Sequence, residues 1–179
     1  LKQSEINGRG IVTEYLYDDW GNLTKETTTD PNSGDSCFAE YSYYSDEELG
    51  TDHYIRNRQK TAKDRNGYTT NFVYDSKGNL ASVTNAEDEI TTYDYLDNGD
   101  RNWIKNPREF FTFYKYNKHG NATSIKQATG DAQAISYSET TTEYDERSRP
   151  TDLFVKIDSS KKRHTEFEYD SRYLDQVAK

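Results

Sequence analysis

The chain has 179 residues, with 23 Lys and Arg against 32 Asp and Glu, which gives a net charge of -9 at pH 7. No run of about 18 apolar residues occurs, so the sequence predicts no membrane span, and its acidity argues against binding to a nucleic-acid backbone. The single cysteine, Cys37, excludes an internal disulfide. The first residues include neither an initiator Met nor the apolar core of a signal peptide, and we expect a fragment or a processed piece of a longer protein.

Aromatic residues indicate an ordered chain despite its polar composition. Only 31% of the residues are hydrophobic, a value that by itself favours disorder. The chain nevertheless contains 16 Tyr and 7 Phe, and each ring buries a large area while a phenol hydroxyl stays hydrogen-bonded or hydrated. The sequence therefore predicts a folded protein whose interior is built largely from tyrosine.

The tyrosines recur in seven repeats that read Thr-x-aromatic-x-Tyr. The last residue of each repeat, here called the anchor tyrosine, is Tyr17, Tyr43, Tyr74, Tyr95, Tyr116, Tyr144 or Tyr169. An aromatic residue stands two positions before six of the anchors, at Tyr15, Tyr41, Phe72, Tyr93, Tyr114 and Phe167. A Thr stands four positions before six of them. This period of two in strand-forming residue types predicts a β-strand that ends at each anchor.

A turn follows the anchor in four of the repeats. Gly stands four positions after the anchor, with Asn or Asp next to it, at Gly21 and Asn22, Gly78 and Asn79, Gly99 and Asp100, and Gly120 and Asn121. Gly and Asn tolerate a positive φ, and Asp and Asn hydrogen-bond the nearby backbone. Nine positions after the anchor, an apolar residue belongs to the returning strand at Val83, Ile104, Ile125 and Leu153. Each repeat is therefore predicted to be a β-hairpin of about 20 residues.

The longer intervals between anchors contain four predicted loops. In chain order these are residues 30–36, 45–50, 126–134 and 158–162, which are rich in turn-forming or charged residues. No linker divides the chain, so we expect one array of about seven hairpins over residues 1–179. No segment shows a helical period with caps, and the sequence predicts an all-β fold of stacked hairpins in a curved, spiralling antiparallel sheet. In this stack we expect Thr to face Thr and ring to face ring on neighbouring repeats.

Several repeats resemble the tyrosine–aspartate repeat of the Rhs (rearrangement hotspot, or YD-repeat) family. The nearest copies are YDDWGNL at residues 17–23 and YDSKGNL at 74–80, whereas YLDNGDR at 95–101 and YNKHGNA at 116–122 are looser. The family includes bacterial polymorphic toxins, C components of insecticidal toxin complexes, wall-associated proteins and teneurins. The resemblance implies a secreted or cell-surface protein in which spiralling hairpins form a shell, which encloses an effector in the toxins. The self-cleavage motif of the toxins, DPxGL, is absent from the chain.

Residues that could carry chemistry fit structural roles better. His53, His119 and His164 stand in different repeats beside charged or turn residues, which favours solvated surface over a metal site. The Asp after the anchor recurs with the repeat, at Asp18, Asp75, Asp145 and Asp170, and we expect it to accept backbone N–H bonds in the turn. Cys37 is expected to be a buried, inert thiol. We therefore expect no metal and no other cofactor.

Two functions from different classes remain. The first is a non-catalytic structural module, a segment of an Rhs-like shell whose partners are the neighbouring repeats and an enclosed cargo polypeptide. The second is an extracellular binding or adhesion module in which exposed rings, Trp20 and Trp103 in particular, engage a glycan or a cell-surface receptor. The exposure of the rings distinguishes these two functions. A third hypothesis, a hydrolase, requires two converging carboxylates with perturbed acidity.

Overall fold

The structure, a computed structural model, describes residues 1–45, 53–129, 136–156 and 161–169. The described residues form fourteen β-strands and one short 3-10 turn at His53–Ile55, and they contain no α-helix. The prediction of an all-β fold is therefore confirmed. In this part of the chain no helix has the length and apolar character needed to cross a membrane.

The chain divides into two compact units, residues 1–92 and 93–179, and the boundary falls within strand β8. The first unit contains β1 (Ser4–Ile6), β2 (Val12–Tyr17), β3 (Leu23–Thr29), β4 (Ser36–Tyr43), β5 (Gln59–Lys63), β6 (Thr69–Tyr74), β7 (Leu80–Thr84) and the beginning of β8 (Ile90–Tyr95). The second contains the end of β8, β9 (Arg101–Lys105), β10 (Phe111–Tyr116), β11 (Ala122–Thr129), β12 (Ser136–Tyr144), β13 (Pro150–Lys156) and β14 (Lys162–Glu166).

The strands follow one another in the sheet in the order of the sequence. The pairs β2–β3, β6–β7, β10–β11 and β12–β13 are antiparallel hairpins joined by the turn after an anchor, as predicted. Strand β1, which pairs with β2 ahead of the first repeat, has no counterpart in the predicted pattern. The hairpin is thus the repeating element, and the sheet is a meander.

The predicted loop at residues 126–134 is wrong in its first part. Strand β11 continues through Thr129, because its last residues keep the antiparallel pairing with β12, in which Lys126 lies opposite Glu139 and Ala128 lies opposite Tyr137. Residues 130–135 lie outside the described part, as do residues 46–50 and 158–160 of two other predicted loops. The turn at residues 30–35 lies between β3 and β4, as predicted.

Successive repeats are offset by two residues in the sheet. Across each returning strand, the residue two positions before one anchor is aligned with the residue four positions before the next anchor. In the second unit, Tyr114 of β10 lies opposite Ile125 of β11, which lies opposite Thr140 of β12. Four further rows follow the same rule: Thr142, Leu153 and Thr165; Phe72, Val83 and Thr91; Tyr41, Ala62 and Thr70; and Tyr15, Glu26 and Ala39. The expectation that Thr faces Thr and ring faces ring is wrong, because a returning strand separates equivalent strands and the pairing advances by two residues per hairpin.

A β-bulge recurs at the end of the outgoing strand. The register shifts directly before the anchor in five hairpins, at Leu16/Tyr17, Ser42/Tyr43, Val73/Tyr74, Lys115/Tyr116 and Glu143/Tyr144. One extra residue therefore stands on the returning strand, as Thr24 does between Leu23 and Lys25. A bulge bends its strand and increases the local twist, so each of these hairpins carries a bend at the same position.

The strands present two different faces. We call the side that carries the anchors the tyrosine face and the other side the reverse face. Exposure alternates along β2, β6 and β10, where the ring and anchor positions are half-buried and the residues between them are exposed. Among the described residues only Ala39, Ile55, Gly78, Ser124 and Ala128 are buried, and none of the large side chains is fully buried. The fold therefore depends on strand pairing and on rows of half-buried rings.

Candidate functional surfaces

The carboxylate after the anchor organises the hairpin turn. Asp18 Oδ1 accepts the backbone N–H groups of Trp20 and Asn22 at 3.0 and 2.8 Å, and its Oδ2 accepts the Asn22 side-chain amide at 2.9 Å. Asp75 and Asp145 make equivalent bonds in their own turns. The predicted turn role of these three carboxylates is confirmed, whereas Asp170 lies outside the described residues.

The acidity of these carboxyl groups fits a structural role. Burial acts against ionisation of Asp18, but the hydrogen bonds from Asn22 and Trp20 outweigh it and hold the pKa below its usual value. At Asp145, the hydrogen bonds from the backbone and the guanidinium of Arg149 lower the pKa. A general acid needs a raised pKa, so the direction of these shifts disfavours the hydrolase hypothesis at the turns.

The same turn also connects successive hairpins, a feature that the sequence analysis missed. Four of these turns begin at Asn7, Asp64, Asn85 and Asn106, whose side-chain oxygens each accept two backbone N–H groups. The fourth residue of each has a positive φ, at Gly10, Gly67, Asp88 and Glu109. An Asn or Asp three positions before a Gly could have predicted the turns that end at Gly10 and Gly67. The other two turns have Asp88 and Glu109 in place of the Gly, so the sequence does not reveal them.

Anchor tyrosines bind the backbone of the preceding repeat. The hydroxyl of Tyr43 donates to the carbonyl of Leu23 at 2.9 Å, and that of Tyr144 donates to the carbonyl of Ala122 at 2.9 Å. Tyr169 donates to Pro150 at 2.8 Å. Each acceptor is the first residue of a returning strand, next to the bulge. We call this contact the tyrosine latch. The tyrosine hydroxyl donates a hydrogen bond to a backbone carbonyl at the place where the bulge interrupts the pairing of the two strands.

The rings predicted to form the repeat core all lie half-buried, on the tyrosine face where they are in strands. They are Tyr15, Tyr17, Tyr41, Tyr43, Phe72, Tyr74, Tyr93, Tyr95, Tyr114, Tyr116, Tyr144, Phe167 and Tyr169. Burial raises the pKa of Tyr43, Tyr74 and Tyr116, whereas at Tyr15 a hydrogen bond to Glu5 is the main cause of a pKa of about 12. These phenols therefore remain neutral donors over the physiological range.

The predicted turn glycines lie in turns with a positive φ. These are Gly21, Gly78, Gly99 and Gly120, and the following Asn22, Asn79 and Asn121 close their turns through the backbone. Gly78 has a second constraint, since a Cβ there would come within 2.8 Å of the Tyr54 carbonyl oxygen. At Gly120 nothing lies within 4 Å of such an atom.

The two tryptophans lie in different surroundings. Trp20 stands in the first hairpin turn and is 65% exposed, with the Arg56 guanidinium 5.7 Å from its ring centroid. Trp103 is half-buried in β9 on the reverse face, where it meets Phe111 edge to face at 5.3 Å. Of these two rings, only Trp20 presents most of its surface.

The predicted metal and nucleophile candidates do not converge. His119 is exposed in a turn, and the exposed His164 contacts Asp152 at 2.7 Å and stacks on Phe154. Nothing is described of the His53 side chain. Cys37 is half-buried in β4 and free. Within the described ranges no group of three His, Cys, Asp or Glu residues could hold a metal ion.

Two curated proteins are similar in sequence to most of the chain. The tRNA3(Ser)-specific nuclease WapA of Bacillus spizizenii is 31% identical over 162 residues, which is 87% of this chain. The tRNA nuclease WapA of Bacillus subtilis is 31% identical over 161 residues, again 87% of this chain. The chain spans only 6% of the length of each of these relatives. No family model matches the chain.

Solved structures share the fold. A crystal structure of TcdB2–TccC3–Cdc42 matches with a TM-score of 0.74 at 13% identity, over 97% of this chain and 9% of that one. A structure of the Photorhabdus luminescens Tc holotoxin pore matches with a TM-score of 0.55 at 12% identity, over 97% of this chain and 12% of that one. At these identities the likeness concerns the fold alone.

The recurring anchor, turn and bulge define a β-hairpin repeat protein. The YDxxGN turns, the similarity to WapA and the fold shared with the TccC3-containing structures agree with one another. The chain belongs to the Rhs, or YD-repeat, family.

Proposed function

We propose that the chain is a non-catalytic wall segment of an Rhs shell, which encloses a cargo polypeptide belonging to a secreted or surface protein. The observation that carries this proposal is the constant two-residue offset between successive hairpins. When the pairing register shifts by the same number of residues from each hairpin to the next, the strands are tilted relative to the direction in which hairpins are added. The strands of a closed or spiralling wall are tilted in this way. The tyrosine latch joins successive hairpins at three of the anchors, Tyr43, Tyr144 and Tyr169.

The nuclease activity in the names of the curated relatives belongs, on this proposal, to another part of a longer protein. The chain corresponds to 6% of those relatives. Its net charge of -9 disfavours binding to the phosphates of tRNA. Incubation of the purified chain with tRNA should leave the RNA intact, and cleavage by this chain at a catalytic rate would contradict the proposal.

Enclosure is tested by protease protection of the full-length protein that contains this segment. The cargo should resist protease in the unmodified protein and become sensitive when Tyr43 and Tyr144 are both replaced by Ala, because loss of the rings and the latch weakens the wall. The matched control replaces the exposed Tyr54 and Tyr68, which are 72% and 61% exposed, and should leave protection unchanged. Equal digestion of the cargo in all three proteins would refute enclosure.

A second candidate function is adhesion through exposed rings, and Trp20 favours it. Its 65% exposure is high for a tryptophan, and Arg56 adds a positive charge beside the ring. On this hypothesis a Trp20→Ala variant loses binding to target cells while protease protection of the cargo persists. Unchanged cell binding in that variant would exclude Trp20 as an adhesive contact.

A further inference from the structure

The chain contains three Asn–Gly pairs, and each lies in a turn between two strands. They are Asn7–Gly8, Asn66–Gly67 and Asn98–Gly99. An Asn side chain deamidates most readily before Gly, because the missing Cβ leaves the backbone nitrogen of the Gly open to close approach. The sequence alone therefore gives the three asparagines similar reactivity, and any difference between them comes from the fold.

The reaction is an attack of the Gly backbone nitrogen on the side-chain carbonyl carbon (Cγ) of the Asn. A bond forms from that nitrogen to Cγ, the bond from Cγ to the amide nitrogen breaks, and ammonia leaves with the proton of the attacking N–H. Water then opens the cyclic succinimide at one of its two carbonyl carbons, which gives either Asp or isoaspartate. The attack requires that the Asn side chain rotate toward the main chain and that the Gly nitrogen be released from its hydrogen bond.

Asn98 is the most restrained of the three asparagines. Its side-chain amide donates to Asp100 Oδ2 at 2.7 Å, and its Oδ1 accepts the backbone N–H of Asp100 at 3.2 Å. The attacking nitrogen, that of Gly99, donates to the Leu96 carbonyl at 2.9 Å. Three hydrogen bonds therefore oppose the reaction at this position.

Asn7 is restrained through its side chain. Its Oδ1 accepts the backbone N–H groups of Arg9 and Ile11 at 2.9 and 3.2 Å. Both bonds belong to the turn between β1 and β2, and rotation of the side chain toward Gly8 breaks both of them. Two hydrogen bonds therefore oppose the reaction here.

Asn66 has the least restrained side chain. It is exposed, and its side-chain amide makes no hydrogen bond with the residues that the structure describes. Only its backbone N–H is bound, by Asp64 Oδ1 at 2.8 Å, which leaves Cγ free to rotate. The attack is opposed by one hydrogen bond, from the Gly67 N–H to the Asp64 carbonyl at 3.0 Å. Gly67 is also exposed, so water has access to the succinimide.

We propose that Asn66 is a modification site, at which the folded chain deamidates and forms isoaspartate, while the fold protects Asn7 and Asn98. The ranking follows the number of hydrogen bonds that must break, which is one at Asn66, two at Asn7 and three at Asn98. Each such bond in a folded protein contributes a modest but measurable free energy, so the rates should separate in this order.

The product changes the connection between β5 and β6. Isoaspartate adds a methylene group to the main chain and leaves a new carboxylate beside that of Asp64. In the unmodified turn, Asp64 Oδ1 accepts the N–H groups of Asn66 and Tyr68 at 2.8 and 2.9 Å. The longer main chain separates these two donors, and the added negative charge repels the acceptor. The modified turn therefore supports the pairing of Lys63 with Thr69 less well.

The test is peptide mapping by mass spectrometry after the purified chain has been aged at mildly alkaline pH, both folded and in concentrated urea. In the folded chain, Asn66 should convert at least about fivefold faster than Asn7 and at least about tenfold faster than Asn98. In urea the three asparagines should convert at similar rates, because each is followed by Gly. Faster conversion of Asn7 or Asn98 than of Asn66 in the folded chain would overturn the proposal, as would folded rates equal to those in urea.

An Asp100→Ala variant tests the protective role of the hydrogen bonds. It frees the Asn98 side chain and should speed conversion at Asn98 at least about fivefold, with the rate at Asn66 unchanged. The rate at Asn66 is the internal control, because unfolding of the variant would raise it to the value in urea. An unchanged rate at Asn98 would show that these bonds do not protect it.

The effect of the modification on the turn is measured by urea denaturation of the aged protein. The unmodified chain should lose stability as Asn66 converts, whereas an Asn66→Gln variant should keep its midpoint, because the longer Gln side chain cyclises far more slowly. An Asn98→Gln variant is the matched control and should lose stability as the unmodified chain does. A midpoint that stays constant after full conversion of Asn66 would contradict the change assigned to the turn. The proposal does not depend on cargo enclosure, so each can fail alone.

Discussion

The residue directly after the anchor tyrosine determines how completely the hairpin turn is hydrogen-bonded. At Asp75, one carboxylate oxygen accepts two backbone N–H groups and the other accepts the side-chain amide of Asn79 at 3.0 Å. The fifth repeat has Asn117 at this position, and its Oδ1 still accepts the backbone N–H groups of His119 and Asn121. An amide nitrogen replaces the second oxygen there, and the buried Asn121 Nδ2 has no partner among the described residues.

The difference between an Asp and an Asn after the anchor predicts that exchanging one for the other has opposite effects on stability in two turns. Asn117→Asp should raise the free energy of unfolding by about 1 kcal/mol, because it gives the Asn121 amide an acceptor. Asp75→Asn should lower it by a similar amount, because the Asn79 amide loses its acceptor. The midpoints of urea denaturation measure both changes. Destabilisation by Asn117→Asp would show that the second oxygen does not bind the neighbouring amide.

The turn carboxylates also predict how stability depends on pH. The pKa values of Asp18, Asp75 and Asp145 are lowered in the folded protein, whereas the unfolded value is near 4. Above about pH 4 both states are ionised and the contribution to stability is fully present. Below it the unfolded state takes up protons first, so this contribution is lost as the pH falls through the folded pKa.

Urea titrations between about pH 6 and pH 2 test this dependence. The free energy of unfolding should decrease with acidity, and an Asp145→Asn variant should show a shallower decrease because one titrating group is removed. Identical slopes for the variant and the unmodified chain would contradict the role assigned to Asp145.

At the scale of the hairpin, the sequence predicted the components but not the contacts between them. Strand periodicity placed the outgoing strands, and Gly with Asn placed the turns, because both are local properties of a few residues. The latch of Tyr144 on Ala122 was not predictable, since its acceptor depends on a bulge and on the offset between repeats. Strand β1 was missed because the exposed residues Ser4–Ile6 show no alternation.

The tyrosine latch predicts that removal of the tyrosine hydroxyl group lowers the free energy of unfolding. Tyr144→Phe keeps the ring but leaves the Ala122 carbonyl without its donor, and should lower the free energy of unfolding by about 1 kcal/mol. Tyr68→Phe is the matched control, because Tyr68 is 61% exposed, and should change stability by less than about 0.5 kcal/mol. Equal effects of the two substitutions in urea denaturation would remove the energetic role of the latch.

Two equivalent turn glycines should differ in their tolerance of a side chain. Gly78 and Gly120 have almost the same positive φ, 83° and 81°, so alanine is strained to the same degree at both positions. Only at Gly78 does the new Cβ meet a backbone oxygen, that of Tyr54. Gly78→Ala should therefore be less stable than Gly120→Ala by at least about 1 kcal/mol, as measured by thermal denaturation. A smaller loss at Gly78 would show that residues 53–58 do not pack on this turn.

At the scale of the whole chain, the pairing register connects the repeat to the proposed wall. The sequence predicted all-β hairpins in series, because a repeating pattern with short turns leaves few other topologies. It could not predict the offset, since periodicity fixes which face a residue occupies but not which residue stands opposite. Rows such as Tyr114, Ile125 and Thr140 replaced the expected rows of like residues.

The register is tested most directly by disulfide formation between engineered cysteines in a Cys37→Ser background. Ile125→Cys with Thr140→Cys places the new thiols on Cα partners, within the separation that a disulfide spans. Ile125→Cys with Thr142→Cys is the pairing expected without an offset, and there the Cα atoms are about 8 Å apart, too far for a bond. Mild oxidation should close the first pair and leave the second reduced. Efficient closure of the Thr142 pair, with the Thr140 pair left reduced, would contradict the two-residue offset and the wall geometry built on it.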